Sequence, residues 1–428
     1  MKKMIAMLLA LVMLFSLAAC GAKEEPKAEA PAEAPKTEAP AAEAAEAAEA
    51  DYSSLPAYKL GIITPLTGAG AEGGIEYKNG AELAMKHFGD TINGRKVELV
   101  IADGPNADAS LSEYERLYDE GVRMFSSGYG SMADMGALSL ADELETLYMG
   151  MTWAPDVDCS GSEYFFRLGV ISTSFGADCI NFAVDIGEKQ LGKAPSELKV
   201  AIVYNTNHTP IAEAIKARAA ETGVQVAVYE GYAYDTQDFV PTITKLQAAD
   251  YDILIPVQSN ADCSAFQKKC YELGYKAPLT LAAGISYDVP YFAELGNEIT
   301  DNVMTISFVN PTAPESACPG ITRFVEDYKA AYGYMPLTHA LMAYCQIQTQ
   351  YMLLEQVSPD KWEDTKLLAD TFRNMDVEVG VMPWYRGIKF DEKNDNTRAA
   401  VNMVCQWQNG ELVAVLPEVM AVGELQMP

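Results

Sequence analysis

Three glycines, Gly68, Gly70 and Gly73, have the Gly-x-Gly-x-x-Gly spacing with which backbone amides can hold the pyrophosphate of a dinucleotide. The motif follows a predicted strand and opens a predicted helix. The acidic partner is not where that chemistry needs it, because the first acidic residue at a strand end is Asp103, thirty-five residues after Gly68. Residues 65–67 also lengthen the turn. We interpret the stretch as a glycine-rich loop whose amides, at a helix N-terminus, face an anionic group.

Signatures of nucleophilic and metal chemistry are incomplete in this chain. Ser196-x-x-Lys199 has the spacing of the nucleophile in penicillin-recognising enzymes, but no Ser-Asp-Asn or Lys-Thr-Gly accompanies it. The three histidines, His87, His208 and His339, are far apart in sequence, and there is no His-Glu-x-x-His or Gly-x-Ser-x-Gly. We therefore predict no catalytic residue, no metal site and no cofactor.

The cysteines do not form a regular framework. One of the eight, Cys20, belongs to the N-terminal segment discussed below, which leaves an odd number with scattered spacing and no Cys-x-x-Cys pair. We expect buried thiols, with room for one disulfide bridge. The seven are Cys159, Cys179, Cys263, Cys270, Cys318, Cys345 and Cys405.

From Tyr58 onward, short apolar segments alternate with segments of helical periodicity. Apolar side chains in 77–88 recur at helical spacing, whereas 59–64 is a continuous apolar run. This rhythm predicts a parallel sheet with helices on both faces. The predicted strands are 59–64, 96–102, 122–126 and 148–151, and the predicted helices are 77–88, 111–117 and 134–147.

The rhythm restarts after residues 167–170, which indicates a second α/β lobe and a ligand cleft between the lobes. Long helical segments follow at 321–332 and 337–356. The chain is predicted to close with a hairpin of strands 387–390 and 399–407 around the turn 391–396. In the second lobe we predict helices 174–187, 211–222, 239–248 and 261–273, and strands 199–204, 224–229, 252–257, 278–282 and 303–309.

The N-terminus has the pattern of an export signal. Lys2 and Lys3 precede a mainly apolar run, residues 4–17, that is short for a membrane span, and Ala18 and Ala19 precede Cys20. Residues 1–19 are thus predicted to be a signal peptide. The Ala-Ala-Cys ending resembles the lipobox of bacterial lipoproteins, and the resemblance implies cleavage before Cys20 and diacylglycerol on its sulfur.

Composition separates a tether from a folded body. Residues 21–50 consist mainly of Ala, Glu and Pro without aromatic or large aliphatic side chains, so we predict a disordered spacer over residues 20–50. The rest of the chain exceeds what one hydrophobic core usually holds, which favours two lobes. The net charge of −29 repels nucleic acid, so no nucleic-acid partner is expected.

An ordered set of segments after residue 57 resembles branched-chain amino-acid-binding proteins, the type I solute-binding proteins of ABC importers. The stretch Lys59-Leu-Gly-Ile-Ile-Thr-Pro-Leu-Thr-Gly68 resembles the opening of that family. Each segment alone is modest, but their order is specific. The other segments are 79–84, 92–97, 238–239 with 244–246, 273–278, Phe324-x-x-x-Tyr328-x-x-x-Tyr332-Gly333, and 388–391 with Asn396.

The resemblance implies an α/β fold of two doubly wound parallel-sheet lobes, the Venus-flytrap arrangement of type I periplasmic binding proteins, joined by three crossovers. We place the crossovers near residues 168–172, 305–309 and 381–386. Lobe 1 would comprise residues 58–171 plus 310–380. Lobe 2 would comprise residues 172–309 plus 381–428.

The resemblance also implies where the ligand binds. A loop serine, Ser131, and the segment Thr152-Trp153-Ala154 would hold the ligand carboxylate with hydroxyl and amide groups. The alternative is that these residues satisfy their own turns. Where the family has a small residue followed by Thr, this chain has Trp153-Ala154, so a hydroxyl is missing and an indole is present. Trp153 would either carry an aromatic or cationic ligand or narrow the pocket.

On lobe 2, the loop that usually carries a Tyr before a Gly has His208 and Thr209 here. Asp288 is the candidate for pairing with a ligand ammonium group. Tyr129 and Tyr287 are further candidates for the cleft, with packing in the core as the alternative.

These observations predict an extracytoplasmic, lipid-anchored substrate-binding protein that delivers a small ligand to an ABC permease. A branched-chain or other hydrophobic amino acid is the first expectation. The alternatives are an aromatic amino acid or other small carboxylate, or a role as the ligand-sensing subunit of a membrane receptor. Whether the anchor faces a periplasm or the cell exterior is left open.

Overall fold

The computed structural model describes residues 51–283, 286–287, 290–307, 311–399 and 402–428. The predicted signal peptide, Cys20 and the predicted spacer lie outside these residues, as does Asp288. In the part of the chain that is described, no helix is both long and apolar enough to cross a membrane.

The described strands form two large sheets and one two-stranded ribbon. Most follow the predicted alternation with helices. They are β1 (Tyr58–Thr64), β2 (Thr91–Ile92), β3 (Arg95–Asp103), β4 (Met124–Ser127), β5 (Leu147–Gly150), β6 (Phe165–Arg167), β7 (Lys199–Asn205), β8 (Gln225–Tyr232), β9 (Ile253–Val257), β10 (Thr280–Ala282), β11 (Val303–Ser307), β12 (Asp376–Val377), β13 (Ile388–Lys389), β14 (Met403–Gln408) and β15 (Glu411–Leu416).

The α-helices fill the connections between parallel strands, as a parallel sheet requires. Among the described residues they are α1 (Ala71–Phe88), α2 (Ala107–Asp119), α3 (Ser131–Glu143), α4 (Ser172–Ile186), α5 (Thr209–Thr222), α6 (Val240–Ala248), α7 (Asn260–Glu272), α8 (Pro290–Ala293), α9 (Asn297–Thr300), α10 (Ile321–Tyr332), α11 (Thr338–Leu354) and α12 (Thr365–Arg373).

The first sheet has the strand order β2-β3-β1-β4-β5-β6, and its strands are parallel except for the β2–β3 pair. Its central strand β1 is buried on both faces, which explains the continuous apolar run in its sequence. The chain leaves β1 towards β3 and then returns across β1 to β4. Because such crossovers are right-handed, α1 lies on one face of the sheet, and α2 and α3 lie on the other.

Helix α11 is buried on almost all sides and packs against α1. The two backbones approach closely at Gly80 and Ala340, where a Cβ atom on residue 80 would lie 1.9 Å from the Ala340 carbonyl oxygen. Only glycine permits this crossing without a shift of one helix. The predicted helical segment 337–356 is therefore part of the core of the first lobe.

The second sheet has the order β15-β14-β11-β10-β9-β7-β8, and at one edge β14 is antiparallel to both of its neighbours, β11 and β15. Helices α4 and α5 pack together on it. On α6 and α7, Ile243 and Phe266 belong to a separate core cluster with Ala201 and Val203 of β7. The fold predicted from the sequence, two doubly wound α/β lobes, is confirmed.

The predicted terminal hairpin is wrong in its pairing. Residues 388–389 pair antiparallel with 376–377, and β14 pairs with β11 and β15. The true hairpin joins β14 to β15 through Asn409 and Gly410, whose φ angles of 54° and 83° suit the tight turn of a two-residue hairpin. The Asn-Gly pair was the signal, and it lay just beyond the segment assigned to the hairpin.

The C-terminal segment stays with the first sheet longer than the predicted boundary at residue 381 allows. Phe390 packs against Phe166 and Phe372, and the Arg167 N–H donates to the Asn394 carbonyl at 3.0 Å. Asn402 instead donates to Asp178 of α4 at 2.6 Å. The chain therefore passes to the second sheet after residue 399, because the aromatic contacts hold the preceding segment on lobe 1.

The glycine-rich loop after β1 faces an anion that belongs to the protein itself. The backbone N–H groups of Leu66 and Thr67 donate to Asp103 Oδ1 at 2.8 and 3.3 Å, and the Thr67 hydroxyl donates to Oδ2 at 2.7 Å. The hydroxyl bond, followed by the amide bonds, lowers the pKa of Asp103 despite its partial burial. The donors precede the three glycines and the helix, so this contact closes the loop onto the end of β3 and is not the predicted glycine-amide contact.

The seven cysteines of the described chain are all buried thiols, as predicted. Burial raises the pKa of several of them, for example Cys270 and Cys345 to about 12. These thiols are protonated at neutral pH and act as small apolar side chains.

Candidate ligand-binding site

A cavity of about 340 Å³ lies where the carboxyl ends of strands from both sheets meet. The first sheet contributes residues that follow β4 and β5, and the second contributes residues that follow β7, β9 and β10. Ligands of open α/β sheets bind at this edge. The lining residues are Ser131, Trp153, Ala154, Pro155, Val170, Ser172, Phe175, Asn207, His208, Pro210, Ile211, Val257, Gln258 and Ala283.

The segment after β5, residues 151–157, forms one wall of the cavity and is called the ligand loop below. Its first amides donate to side chains instead of to a neighbouring strand. The N–H of Met151 donates to Ser127 Oγ at 2.6 Å, that of Trp153 to Ser131 Oγ at 3.3 Å, and that of Ala154 to Thr152 Oγ1 at 3.2 Å. Side-chain chemistry therefore fixes the conformation of this loop.

A buried carboxyl group, Asp134, lies beneath the ligand loop in the first turn of α3 and is 1% exposed. It accepts hydrogen bonds from the Tyr148 hydroxyl at 2.8 Å, from Ser127 and from the backbone N–H of Thr152. Burial raises the pKa of Asp134 to about 7, although these donors oppose the shift. Asp134 is thus a buried acceptor whose charge changes near neutral pH.

The ligand loop is also tied to the second lobe. The N–H of Ser172, the first residue of α4, donates to the Trp153 carbonyl at 3.0 Å. Ser172 ends the first predicted crossover, and α4 packs with α5 of the second lobe. The position of Trp153 is therefore coupled to the start of the second lobe.

The opposite wall is organised by Asp262 at the start of α7. Its carboxylate accepts from the Asn205 side chain at 2.8 Å, from the Ser259 N–H at 2.6 Å and from the Tyr232 hydroxyl at 2.6 Å. Ser259 Oγ in turn lies 3.0 Å from His208 Nε2, and burial lowers the pKa of His208. The loops after β7 and β9 are thus held together, with a neutral imidazole at the cavity.

Gln258 lines the cavity but directs its amide into the second lobe. Its Nε2 donates to the Tyr232 hydroxyl at 2.8 Å, and its Oε1 accepts from the Tyr287 hydroxyl. Both groups of the amide are engaged, so Gln258 presents a fixed wall to the cavity.

Four of the residues proposed from the sequence meet at this cavity: Ser131, Trp153 and Ala154 from the first lobe and His208 from the second. Thr152 is buried directly behind them and bonds to Ala154. Asp288 lies outside the described residues, so its assignment stays a prediction.

Three further candidates lie away from the lining. Tyr287 is fully buried behind Gln258 and packs on Phe292. Thr209 donates its hydroxyl to the Thr206 carbonyl at 2.7 Å. The Tyr129 ring stands edge-on to His339, with 4.7 Å between ring centroids.

Sequence reasoning missed several residues of this site, notably Phe175, Asn207 and Gln258. A positional signal existed for Gln258, since a polar residue directly after a buried parallel strand lies at the ligand edge of the sheet. Ser259 and Asp262 also have the spacing of a helix capping box, which marks the start of α7. Phe175 carried no such signal, because it lies inside an apolar helix.

A second cavity, of about 450 Å³, lies at the opposite edge of the second sheet, near the starts of β10 and β11. Its described lining, which includes Tyr271, Tyr275 and Asp301, comes from the second lobe alone. It therefore lacks contacts from both lobes. Within the described ranges, no group of three or more His, Cys, Asp or Glu side chains is arranged to hold a metal ion.

Two α/β lobes whose strand ends enclose one small cavity define a two-lobed solute-binding protein. Residues 57–411 match the family model described as periplasmic binding protein, and the chain belongs to that family. The protein is therefore an extracytoplasmic solute-binding protein of the ABC-transporter class and is not an enzyme. This confirms the resemblance to branched-chain amino-acid-binding proteins seen in the sequence.

Individual proteins agree with this placement. The Leu/Ile/Val-binding protein homolog 8 of Brucella abortus (strain 2308) is 28% identical over 385 residues, which cover 87% of this chain and 94% of the relative. A putative branched-chain amino acid ABC transporter from Silicibacter pomeroyi superposes with a TM-score of 0.74 at 20% identity, over 87% of this chain and 99% of that one. A substrate-binding protein from Desulfitobacterium hafniense in complex with Leu superposes with a TM-score of 0.67 at 19% identity. The superposition covers 84% of this chain and 100% of that one.

Proposed function

We propose that this protein is the lipid-anchored substrate-binding subunit of an ABC importer and that it captures a hydrophobic amino acid in the cavity between its lobes. The observation that carries the proposal is that one cavity is lined by the strand ends of both sheets. A ligand that contacts both lobes stabilises the closed arrangement over the open one, which gives a permease a signal to recognise.

The chemistry of the lining supports an apolar ligand side chain. Trp153, Phe175, Ile211 and Val257 are among its apolar lining residues, and the Ser131 hydroxyl offers a polar contact. A hydroxyl that accepts one N–H keeps its own hydrogen for a ligand carboxylate. The cavity volume also falls within the range of about 300–1,000 Å³ that is usual for small-molecule sites.

The charges of an amino acid need partners when water is excluded. The described lining contains no Asp, Glu, Lys or Arg side chain. We propose Asp288, which follows β10 in the chain, as the partner of the ligand ammonium group. Ser131 together with the N-terminus of α3 would face the carboxylate.

An aromatic amino acid or small aromatic carboxylate is the second candidate. The specific observation in its favour is that Trp153 and Phe175 both line the cavity. Aromatic pairs gain about 0.5–1.5 kcal/mol beyond the burial of their surface. Such a ligand would also use the Ser131 hydroxyl.

The export signal and Cys20 support the anchoring part of the proposal. A single thioether-linked diacylglycerol would hold the protein at the membrane surface, and the Ala/Glu/Pro-rich spacer would let the folded body reach the permease. Mass spectrometry of the N-terminal peptide from the membrane fraction tests this part. An unmodified N-terminus would refute it.

Thermal unfolding tests the ligand. The protein is produced without residues 1–19 and with Cys20→Ser, stripped of ligand by unfolding and refolding, and screened with L-leucine, L-isoleucine, L-valine, L-phenylalanine and small carboxylates. A ligand at a hundredfold excess over Kd stabilises the folded state by about 2.7 kcal/mol. Stabilisation by L-leucine supports the first candidate, and stabilisation by aromatic compounds alone supports the second. No response to any compound would refute the proposal.

A further inference from the structure

The ligand loop leaves the first sheet after β5, and the neighbouring edge strand β6 ends at Arg167. Because parallel strands end at the same edge of a sheet, the last side chain of β6 lies beside the loop. The Arg167 side chain is only 2% exposed. A guanidinium in this position needs oxygen acceptors for its donors.

Arg167 finds those acceptors on two separate parts of the chain. Its Nη1 donates to the Ala154 carbonyl at 2.9 Å, and its Nη2 donates to the Val157 carbonyl. Its Nε donates to Asp395 Oδ1 at 2.7 Å. The planar group therefore binds both ends of a turn in the ligand loop and, on its other edge, the segment that leads to the last crossover.

We propose that Arg167 is the positioning residue of the ligand site: it holds the Trp153–Val157 turn in the conformation that contacts ligand, with Asp395 as its anchor. This inference rests on the proposed function, because it assumes that the cavity beside Trp153 is the ligand site. Arg167 is absent from the cavity lining, so it acts through the loop.

The fork geometry makes the role specific to arginine. The three guanidinium nitrogens are spread over one plane, and each donates to a different oxygen. A lysine ammonium has all its donors on one nitrogen, so it cannot reach the same three oxygens. Arg167→Lys keeps the positive charge and most of the apolar stem but releases at least one loop carbonyl. We expect the loop to become mobile while the sheet beneath it stays folded.

The chain offers a matched control in Arg95, which is also 2% exposed. It pairs with one carboxylate, Glu363, and donates to two backbone carbonyls, those of Pro56 at 2.9 Å and Pro359 at 2.6 Å. These contacts lie at the amino end of β3, away from the cavity. Arg95→Lys therefore imposes a similar loss of buried hydrogen bonds without touching the ligand loop.

The first measurement needs no ligand. Hydrogen–deuterium exchange of the full mature chain is followed in peptides that cover residues 151–158 in wild type, Arg167→Lys and Arg95→Lys. We expect at least tenfold faster exchange of these amides in Arg167→Lys alone, whereas both variants lower Tm. Unchanged exchange in Arg167→Lys, or equal acceleration in Arg95→Lys, would overturn the proposal.

The second measurement is the Kd for L-leucine, and for L-phenylalanine, by isothermal titration calorimetry. We expect Kd to rise at least tenfold in Arg167→Lys and less than twofold in Arg95→Lys. Equal Kd values in wild type and Arg167→Lys would contradict the proposal that Arg167 positions the ligand loop. If the wild type binds neither compound, the proposed ligand is wrong, and the exchange measurement decides the role of Arg167 by itself.

If Arg167→Lys does not yield folded protein, Asp395→Asn takes its place in both measurements. This change removes the negative charge that anchors the guanidinium, so its hydrogen bonds to the loop carbonyls weaken without being deleted. We expect smaller effects in the same direction, and no acceleration of exchange in residues 151–158 would refute the proposal.

Discussion

The hydroxyl oxygen of Ser131 accepts a hydrogen bond from the backbone N–H of Trp153 at 3.3 Å. The bond joins the N-terminus of α3 to the ligand loop, so two elements that the sequence places 22 residues apart form one wall of the cavity. The same hydroxyl retains a hydrogen that can be donated to a ligand. Ser131 therefore shapes the wall and offers a polar contact at the same time.

Ser131→Ala should weaken ligand binding with little loss of stability. The change removes the acceptor of the Trp153 N–H and the donor to the ligand, and we expect affinity to fall about tenfold, equivalent to about 1.4 kcal/mol. Titration calorimetry with L-leucine measures it. Ser112→Ala, on the exposed face of α2, removes a hydroxyl that bonds only to the Asp108 carbonyl and serves as control. Equal affinities of wild type and Ser131→Ala would show that the hydroxyl serves only its own turn.

Trp153→Phe and Trp153→Ala should change which ligand is preferred. The indole lines the cavity and is partly buried, so replacing it enlarges the space for the ligand side chain. We expect Trp153→Phe to retain binding and Trp153→Ala to lower the affinity for L-phenylalanine more than that for L-leucine, by about 1 kcal/mol. The ratio of the two Kd values is the readout. If the ratio is unaltered in both variants, Trp153 only packs against the protein and does not select the ligand.

Most of the fold followed from hydrophobic periodicity, because central strands such as β1 and β9 are buried on both faces and amphipathic helices such as α10 and α12 have one apolar face. The error came at the C-terminus, where residues 387–390 and 399–407 were predicted to pair with each other. Local pattern cannot choose partners for short strands, and the choice was made by Phe390 in its cluster with Phe166 and Phe372. Those contacts link residues far apart in sequence.

The two walls of the site differed in how well they could be predicted. The family resemblance implied Ser131, Trp153 and Ala154 as ligand-binding residues, and all three line the cavity. On the second lobe, Tyr287 was a candidate for the cleft with core packing as the alternative, and it packs behind Gln258. A tyrosine near a strand end suits both places, and the choice depends on the Gln258 amide, which takes the lining position.

Gly80→Ala should destabilise the protein although alanine is the better helix former. In an exposed helix the change would stabilise by about 1 kcal/mol. Here the added Cβ would lie 1.9 Å from the Ala340 carbonyl oxygen, so α1 and α11 must move apart. We expect a loss of about 2–3 kcal/mol, as for overpacked cores. Urea unfolding measures it, and a stability equal to or above that of the wild type would mean that the two helices separate at no cost.

A last prediction concerns pH, because Asp134 is a buried carboxyl group that lies beneath the ligand loop. The Tyr148 and Ser127 hydroxyl groups donate hydrogen bonds to its carboxylate, and the positive charge of Arg167 on β6 lowers its pKa. Burial and, after it, the charge of Asp134 raise the pKa of Tyr77 on α1. The charge of Asp134 also contributes, after burial, to the raised pKa of the Cys159 thiol. Desolvation outweighs these groups and raises the pKa of Asp134 to about 7.

Since the folded protein binds this proton more tightly than the unfolded chain, the contribution of Asp134 to stability is complete below its ordinary pKa of 3.8 and is lost as pH rises to about 7. Asp134→Asn removes that dependence. We therefore expect the stability of Asp134→Asn relative to wild type to increase between pH 4 and about pH 7.5. Urea unfolding at several pH values measures the difference in the free energy of unfolding between variant and wild type. The contributions of the other titrating groups cancel in this difference. Asp158→Asn is the control: hydrogen bonds from Ser160 lower the pKa of this exposed carboxylate, so the difference between this variant and wild type should change in the opposite direction. A difference that stays constant with pH would show that folding does not shift the pKa of Asp134.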